Sequence, residues 1–294
     1  MLMKQNVAIF CSDVTEKTKS GIYRLASAFR EKDMDVYLNV MGEGREKLEE
    51  DKTLIFFDDK NSFPENINTI ISVGGDGTFL ETAKRVNSMG IPVAGVNTGR
   101  LGFLANIPDV DIHGSVDKLC NGEYTILERY MLTLVSPEGF FGTNNNIALN
   151  EITIQKADQR MITIDVSIDG NHVNTYRADG LIISTATGST AYNLSVGGPI
   201  LTPSDNSIII APMSPHNLTV RPIVVTGSSV ITMEVSGRGT QCLITCDSRF
   251  SHLPFGNAIE VKQSPHRIKT IMLNGGDFFS TLRNKFLWGV DPRN

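Results

Sequence analysis

A glycine-rich turn between an apolar run and a helix-like stretch is the feature that most constrains this chain. The turn spans residues 74–78, GGDGT; the apolar residues 69–73 precede it and the helix-like residues 79–86 follow it. Glycine allows positive φ angles and lets another group approach the backbone closely, because it has no Cβ. The pattern therefore predicts a β-strand, a tight turn and the start of an α-helix.

The chemistry of this turn points to a phosphate group. A helix N-terminus presents unpaired backbone N–H groups, and these groups bind anions. The carboxylate of Asp76 would repel a phosphate unless it binds a metal ion or takes a proton from an attacking hydroxyl. We interpret the turn as a site of phosphoryl transfer; the alternative is an ordinary turn in which Asp76 caps the helix. The turn fits neither the G-x-G-x-x-G motif nor the P-loop motif.

Length and composition fit a globular protein with two domains. The 294 residues are 40% hydrophobic and 20% charged, and the formal net charge is −5. This charge argues against a general nucleic-acid binder, although a local basic pocket for phosphates would not be visible in the total. The four cysteines, Cys11, Cys120, Cys242 and Cys246, are too scattered for a disulfide framework and poorly spaced for zinc.

Export and membrane insertion are not expected from the apolar runs. The run at residues 7–11 is too short for a signal peptide, and no run approaches the ~18 residues of a membrane span. We therefore expect a cytoplasmic protein with reduced cysteines and no membrane partner.

The first part of the chain alternates apolar runs with helical patterns. Strands are predicted at residues 6–11, 35–40, 53–57, 68–73 and 91–96. Helices are predicted at residues 15–32 and at residues 111–121, the latter ending at Gly122. This alternation indicates an α/β domain with a mainly parallel sheet, in which ligands bind beyond the carboxyl ends of the strands.

From about residue 124 the pattern changes to short alternating runs separated by turn residues, which is typical of an all-β domain. Asp169-Gly170 between two such runs is a strong hairpin signal. After Pro265, a last strand is predicted at residues 268–273 and an amphipathic helix at residues 278–286, just before the only tryptophan, Trp288. We place the boundary near residue 112: residues 1–112 and 267–294 form the α/β domain, and residues 113–266 form the β-rich domain.

Two further stretches place polar and glycine residues after predicted strands. Residues 97–104, NTGRLGFL, would share a cleft with the glycine turn, and the alternative is a plain loop. Residues 176–195 begin as a strand and continue into threonine, serine and glycine residues with Tyr192. Hydroxyl groups and an aromatic face suit a base and a ribose, so this stretch predicts a ligand-binding wall. The alternative is a loop with Tyr192 packed inside.

Taken together, these stretches resemble the NAD kinase family, and the resemblance spans most of the chain. The segments that carry it are residues 74–78, 97–103, 150–151, 179–192, 197–201, 211–218 and 242–247. Lipid kinases related to diacylglycerol kinase and phosphofructokinases have a turn similar to the first segment alone. The ordered set is specific, because neither relative is expected to combine the Asn-Glu pair with the stretch around Tyr192.

The resemblance implies that the protein transfers the γ-phosphoryl group of ATP to the 2′-hydroxyl of the adenosine ribose of NAD, giving NADP. It implies a divalent metal ion, usually Mg²⁺, whose ligands stay unassigned. It also implies an α/β N-terminal domain that binds ATP and phosphate, and an all-β C-terminal domain that binds NAD and mediates oligomerisation. The final segment returns to the N-terminal domain. A homodimer or homotetramer is expected, with the NAD pocket bordered by a second subunit.

The resemblance also implies roles for individual residues. Asp76 is the expected general base or hydroxyl-orienting group, and Phe103 is expected to line the NAD pocket. The residues expected to shape the phosphate seat are Gly74, Gly75, Gly77 and Thr78. Asn150 and Glu151 are expected to hold ribose and amide groups. The residues expected to contact the two halves of the dinucleotide are Asp179, Thr187, Thr190, Ala191 and Tyr192, and Ser195 is a further binding candidate.

Three further residues lie within or beside the segments that carry the resemblance. Arg177 matches a position linked in this family to a preference for oxidised over reduced dinucleotide. Asp247 is expected only beside the ligand, because some family members have Gly-Gln where this chain has Ser248-Arg249. We interpret His216 as structural rather than as a base.

Alternatives remain open at this point. Asn150-Glu151 alone could be an ordinary strand-edge pair, and Asp179 could cap its own turn before Gly180. A lipid or sugar kinase with the same glycine turn would phosphorylate diacylglycerol or fructose 6-phosphate instead of NAD. A non-catalytic NAD sensor would bind without turnover, and Asp76 argues against it.

Overall fold

The computed structural model describes residues 6–58, 63–99, 102–142, 145–274 and 277–287. The chain forms two compact units: one comprises the residues up to Glu128 and from Ile268 onward, and the other comprises Arg129–Arg267. The expected fold class is confirmed: an α/β unit, an all-β unit and a final segment that returns to the first unit.

The elements lie close to their predicted positions. The strands are β1 Asn6–Cys11, β2 Asp35–Val40, β3 Ile55–Phe56, β4 Ile67–Gly74, β5 Val93–Asn97, β6 Ile107–Pro108, β7 Tyr124–Ser136, β8 Ile147–Ala148, β9 Glu151–Lys156, β10 Ile162–Ile168, β11 Asn171–Ala178, β12 Gly180–Ser184, β13 Ser207–Met213, β14 Ile223–Thr226, β15 Ile231–Gly237, β16 Gln241–Cys246, β17 Arg249–Pro254 and β18 Ile259–Leu273. The helices are α1 Glu16–Arg30, α2 Asp76–Val86, α3 Ile112–Cys120, α4 Tyr192–Ser195 and α5 Phe278–Phe286. No helix within the described ranges is long and apolar enough to cross a membrane.

The first unit is built on a parallel sheet in the order β3-β2-β1-β4-β5. Its middle strand β1 is buried along its whole length, because parallel sheets have helices on both faces. The N-terminus of α1 is fixed by a reciprocal capping box between Thr15 and Thr18. This order places the carboxyl ends of β1, β4 and β5 side by side, where ligands of open α/β sheets bind.

The structure extends the first unit beyond the predicted boundary near residue 112. The unit runs to Glu128 because α3 packs on α1. Ile112 and Val116 of α3 are buried in the same apolar core as Ile22 and Leu25 of α1. Residue 112 is therefore the first residue of α3, with Asp111 as its N-cap, and not a domain limit.

The second unit contains two antiparallel groups of strands. One has the order β14-β13-β12-β9-β16-β17, and the other includes β10 paired with both β11 and β15. Strand β12 is buried on both faces: Leu181 and Ile183 join the main core, whereas Ile182 packs with Ile209 in a second cluster. Because Val196 and Leu201 cover that second cluster, residues after β12 are held against its outer face.

Two turn predictions had different outcomes. Asp169 and Gly170 have φ angles of 50° and 79° between β10 and β11, which confirms the hairpin. The predicted break at Pro265 is wrong, because β18 is continuous from Ile259 to Leu273. The strand pairs with β15 through Ile259–Val261 and with β5 through Thr270, so a proline between those pairings removes no hydrogen bond from either.

Candidate active site

The glycine turn is a close-packed backbone bend at the end of β4. A Cβ at Gly74 would lie 2.3 Å from Oγ1 of Thr78, so a side chain cannot be accommodated there without movement. The Thr78 hydroxyl also hydrogen-bonds the hydroxyl of Ser12 at 2.9 Å, at the end of the neighbouring strand β1. The two strand ends thus fix the start of α2.

The other two glycines of the turn border open space. A Cβ at Gly75 or at Gly77 would meet no atom within 4 Å. Helix α2 begins at Asp76 with Gly75 as its N-cap residue, and no side chain caps it. The predicted alternative, in which Asp76 caps the helix, is therefore not observed. Uncapped N–H groups beside open space are suited to an anion.

The carboxylate of Asp76 is held by the backbone of the loop after β5. Its Oδ2 accepts the N–H of Phe103, and its Oδ1 accepts the N–H groups of Leu104 and Ala105, each at 3.0 Å. A Cβ at Gly102 would lie 1.9 Å from Oδ1, so the loop can approach the carboxylate only with glycine there. Arg100 and Leu101 of this predicted motif lie outside the described residues.

Phe103 lies in an aromatic cluster with the terminal helix α5. Its ring centroid is 6.1 Å from that of Phe278 and 5.7 Å from that of Phe286. The Nζ of Lys285 lies 4.5 Å from the same centroid and 3.7 Å from Oδ2 of Asp76. The helix, the aromatic ring and the candidate base therefore form one connected group within the first unit.

In the second unit, Asp247 organises the segment that contains Asn150 and Glu151. Its Oδ2 accepts the N–H of Leu149 at 2.8 Å, and its Oδ1 accepts those of Asn150 at 2.9 Å and Glu151 at 3.2 Å. Asp247 lies in the β16–β17 turn with a φ of 51°. Arg249 donates to the carbonyls of Asn145 and Ile147, so the departure at residues 248–249 supplies a second anchor for this segment.

Glu151 is a buried carboxyl group close to Asp247. Burial raises its pKa to about 8, with repulsion from Asp247 as the second cause. Burial also raises the pKa of Asp247, while its three N–H donors act in the opposite direction. Only 9% of Glu151 is exposed, and its buried Oε2 has no hydrogen-bond partner among the residues that the structure describes. An unpaired buried oxygen is costly unless a ligand pairs with it.

The predicted ligand wall is fixed to the same backbone. Thr185 donates to the carbonyl of Leu149 at 2.6 Å and accepts the N–H of Gly188 at 3.0 Å. The Thr187 hydroxyl accepts from buried Arg129 at 3.3 Å. The backbone N–H of Tyr192 donates to Glu151, while 39% of Tyr192 is exposed. Local hydrogen bonds order this wall and leave an aromatic face accessible.

Three neighbouring wall candidates lie at its outer side. Thr190 donates to the carbonyl of Thr187 at 3.4 Å, Ala191 is half-buried, and Ser195 is exposed at the end of α4. Asn193 lies in the interior of the wall, and its side chain donates to the carbonyls of Ser189 and Pro199. The alternative of a packed Tyr192 is thus not what the structure has; the packed residue is Asn193.

Asp179 and Arg177 are not brought together with Glu151. Strand β12 pairs Ser184 with Glu151, and Asp179 comes five residues before Ser184, so it lies about 17 Å along the strand at ~3.3 Å per residue. Asp179 forms an ion pair with Lys156 at 2.6 Å. Arg177 is exposed, and its carbonyl accepts the backbone N–H of His216.

Sequence patterns missed several residues that build these two sites. Gly102 was inside a quoted motif but had no assigned role, and Ser12 directly follows a predicted strand. Lys285 gave no signal as a charged residue on a predicted helix, and Arg249 was noted only as a departure from the family pattern. In the described part of the chain, no three His, Cys, Asp or Glu side chains are grouped as a metal site.

The two-domain fold, with a held carboxylate at the uncapped glycine turn, indicates a phosphotransferase. Residues 11–124 match the model for the ATP-NAD kinase N-terminal domain, and residues 149–273 match that for the ATP-NAD kinase C-terminal domain. The chain belongs to the NAD kinase family.

Relatives and solved structures agree with this assignment. The chain is 45% identical to the NAD kinase of Cytophaga hutchinsonii over 76% of its own length and 77% of the relative's. It is 41% identical to the NAD kinase of Flavobacterium johnsoniae over 88% of its own length and 87% of the relative's. In fold, it is similar to yeast NADH kinase complexed with NADH, with a TM-score of 0.83, 22% identity and coverage of 98% and 89%. It is also similar in fold to an NAD kinase from Archaeoglobus fulgidus in complex with ATP, with a TM-score of 0.72 and 24% identity; the match covers 96% of this chain and 97% of the other.

Proposed function

We infer that this protein is an NAD kinase, which transfers the γ-phosphoryl group of ATP to the 2′-hydroxyl of the adenosine ribose of NAD. The 2′-oxygen bonds to the γ-phosphorus, and the bond from that phosphorus to the β,γ-bridging oxygen breaks. The hydroxyl proton goes to Asp76, and ADP leaves. The products are NADP and ADP.

The observation that carries the catalytic part of this proposal is the Asp76 carboxylate at the uncapped start of α2. Phosphoryl transfer depends mainly on alignment and on stabilising the charge of the transferred group. Three backbone N–H groups fix the orientation of the carboxylate. A fixed carboxylate can direct one hydroxyl towards a phosphate that binds at the open side of Gly75 and Gly77.

The second unit supplies residues suited to the dinucleotide. Asn150 and Glu151 are held by Asp247, and the unpaired Oε2 of Glu151 is a ready partner for a ribose hydroxyl or an amide. Tyr192 offers an exposed ring, and Thr187, Thr190, Ala191 and Ser195 continue the same wall. We assign NAD binding to this unit and phosphate binding to the first.

The metal ion enters this proposal as part of the donor. Mg²⁺ keeps several water ligands and is usually bound through substrate phosphates with one or two carboxylates. The ion would therefore arrive with the donor, as MgATP. The cation neutralises phosphate charge when bound, and the protein residues orient the acceptor.

A coupled assay tests the function. Purified protein is incubated with NAD and MgATP, and NADP is detected with an NADP-specific dehydrogenase. Parallel reactions contain diacylglycerol or fructose 6-phosphate as acceptor. We expect turnover with NAD only. ADP release with a lipid or sugar acceptor and none with NAD would support the rival kinase, and NAD binding without ADP release would support a sensor.

A further inference from the structure

Lys285 of the terminal helix lies beside the candidate base. Its Nζ is 3.7 Å from Oδ2 of Asp76, and the side chains of both residues are about one third exposed, at 34% and 32%. Among the described residues, it is the basic side chain found in an ion pair with Asp76. The ammonium group can therefore be reached by a ligand that approaches the phosphate seat, residues 74–78.

Counting the bonds from the part of the chain that the structure describes, the carboxylate of Asp76 has one acceptor position left on Oδ2. A carboxylate offers about four lone-pair sites. Oδ1 accepts two backbone N–H groups, and Oδ2 accepts one, from Phe103. At 3.7 Å, the Lys285 ammonium is within ion-pair distance but beyond a hydrogen bond, so it does not occupy the remaining position. A substrate hydroxyl can use that position while the cation stays nearby.

The packing of α5 fixes the position of Lys285. Phe278 and Phe286, at the two ends of the helix, both pack against Phe103, and Leu282 between them is buried. The side chain of Asp277 caps the helix through the N–H of Ser280 at 2.8 Å. The helix thus holds the ammonium group of Lys285 over the ring of Phe103, and the backbone N–H of Phe103 donates to Asp76.

Proton transfer to Asp76 changes the partner that the lysine prefers. The ion pair exists while the carboxylate is charged; once Asp76 carries the hydroxyl proton, that attraction is lost. At the same moment negative charge spreads over the oxygens of the transferring phosphoryl group. A lysine has a flexible stem and three donors, so its ammonium can move from one anion to the other.

We propose that Lys285 is a catalytic residue that pairs with Asp76 before transfer and with the γ-phosphoryl oxygens during it. This inference rests on the proposed function. In the step itself, the 2′-oxygen to γ-phosphorus bond forms, the bond to the bridging oxygen of ADP breaks, and the proton passes to Asp76. Lys285 exchanges no atom; it compensates charge.

The test compares Lys285→Met, Lys285→Arg and Arg283→Met, the last being a matched loss of a neighbouring exposed cation on α5. Steady-state kinetics with NAD and MgATP give kcat and both KM values, and thermal unfolding reports folding. We expect Lys285→Met to lower kcat about 10- to 100-fold, somewhat below the loss of a fixed donor to a transition state, with the KM for NAD changed less than about threefold.

The controls separate catalysis from helix packing. Lys285→Arg should recover a substantial part of kcat because it keeps the charge, and Arg283→Met should match the wild type. A Lys285→Met variant with wild-type or higher kcat would overturn the inference while leaving the NAD kinase function intact. An equal loss in Arg283→Met, or a loss that follows a lowered Tm, would also overturn it. An inactive wild-type protein would contradict the proposed function itself.

Discussion

The Asp247 carboxylate accepts the backbone N–H of Glu151 at 3.2 Å, so two acidic residues are held together in the interior of the second unit. Asp247 has three N–H donors, whereas Glu151 has an oxygen with no partner. The environment therefore favours charge on Asp247 more than on Glu151. This difference has a consequence for stability.

Glu151→Gln should become more stabilising as the pH rises. The folded pKa of Glu151 is raised from 4.5 to about 8, so the folded state holds a proton that the unfolded state has lost between these values. Wild-type stability contributed by this group is complete below pH 4.5 and is lost as pH rises towards 8. The neutral variant does not lose this stability, so its free energy of unfolding should gain up to about 1.4 kcal/mol per pH unit relative to the wild type.

Urea unfolding at several pH values measures this difference. The free energy of unfolding of Glu151→Gln minus that of the wild type should increase from pH 5 to 8 and then level off. Glu234→Gln, which removes an exposed carboxylate from β15, is the control and should give a nearly constant difference. A constant difference for Glu151→Gln as well would show that Glu151 is charged in the folded protein.

Asp76→Asn should remove turnover and keep binding. The amide cannot take the hydroxyl proton, so we expect kcat to fall by about 10² to 10⁴, the usual scale for loss of a general base. The KM for NAD should change much less. Glu81→Gln on the same helix controls for the loss of an acidic group. Near-normal kcat in Asp76→Asn would leave Asp76 with a structural role, that of anchoring residues 103–105.

Arg177→Gly should raise the use of NADH relative to NAD. Arg177 is exposed on β11 and borders a depression with Thr175, His216 and Asn217, so its removal alters a surface without opening the core. We expect the ratio of kcat/KM values to shift towards NADH by about tenfold, the scale of one altered contact. Arg238→Gly, in an exposed loop, serves as the control. An unchanged ratio would exclude Arg177 from this selectivity.

The protein should be a homodimer or homotetramer assembled through the second unit. Large apolar side chains of that unit, Leu218, Val224 and Phe250, are exposed at 84%, 47% and 68%. Asp179 lies about 17 Å from the Glu151 end of β12, at ~3.3 Å per residue, so a contact from Asp179 to the same dinucleotide is more easily made by a second copy.

Dilution tests this assembly. Specific activity should fall as subunits dissociate, and NAD should oppose the fall because it binds the assembled form. Sedimentation in parallel gives the mass of the active species. A 32.2 kDa monomer with full activity at every assay concentration would contradict the assembly and the shared pocket.

Local signals predicted most of the fold. The glycine turn and the Asp169-Gly170 hairpin were predictable because glycine and positive φ are requirements of a few adjacent residues. The boundary near residue 112 differed because α3 belongs to the first unit through contacts with α1, far away in sequence. The break predicted at Pro265 was wrong because a missing N–H interrupts a strand only where a neighbouring strand would accept a hydrogen bond from it.

The site was predictable where a motif defines it and not where packing does. Asp76, Asn150, Glu151 and Asp247 were found by motif, and the structure groups the last three around one carboxylate. Lys285 could not be found, because its contact with Asp76 depends on how α5 packs on Phe103.

The identity of the acceptor atom tests the proposed function most directly. The protein is given MgATP and an NAD analogue whose adenosine ribose lacks the 2′-hydroxyl, and ADP release and competition with NAD are measured together. We expect the analogue to inhibit the reaction of NAD and to remain unphosphorylated. Phosphate transfer to the analogue at a rate like that on NAD would contradict the proposed function.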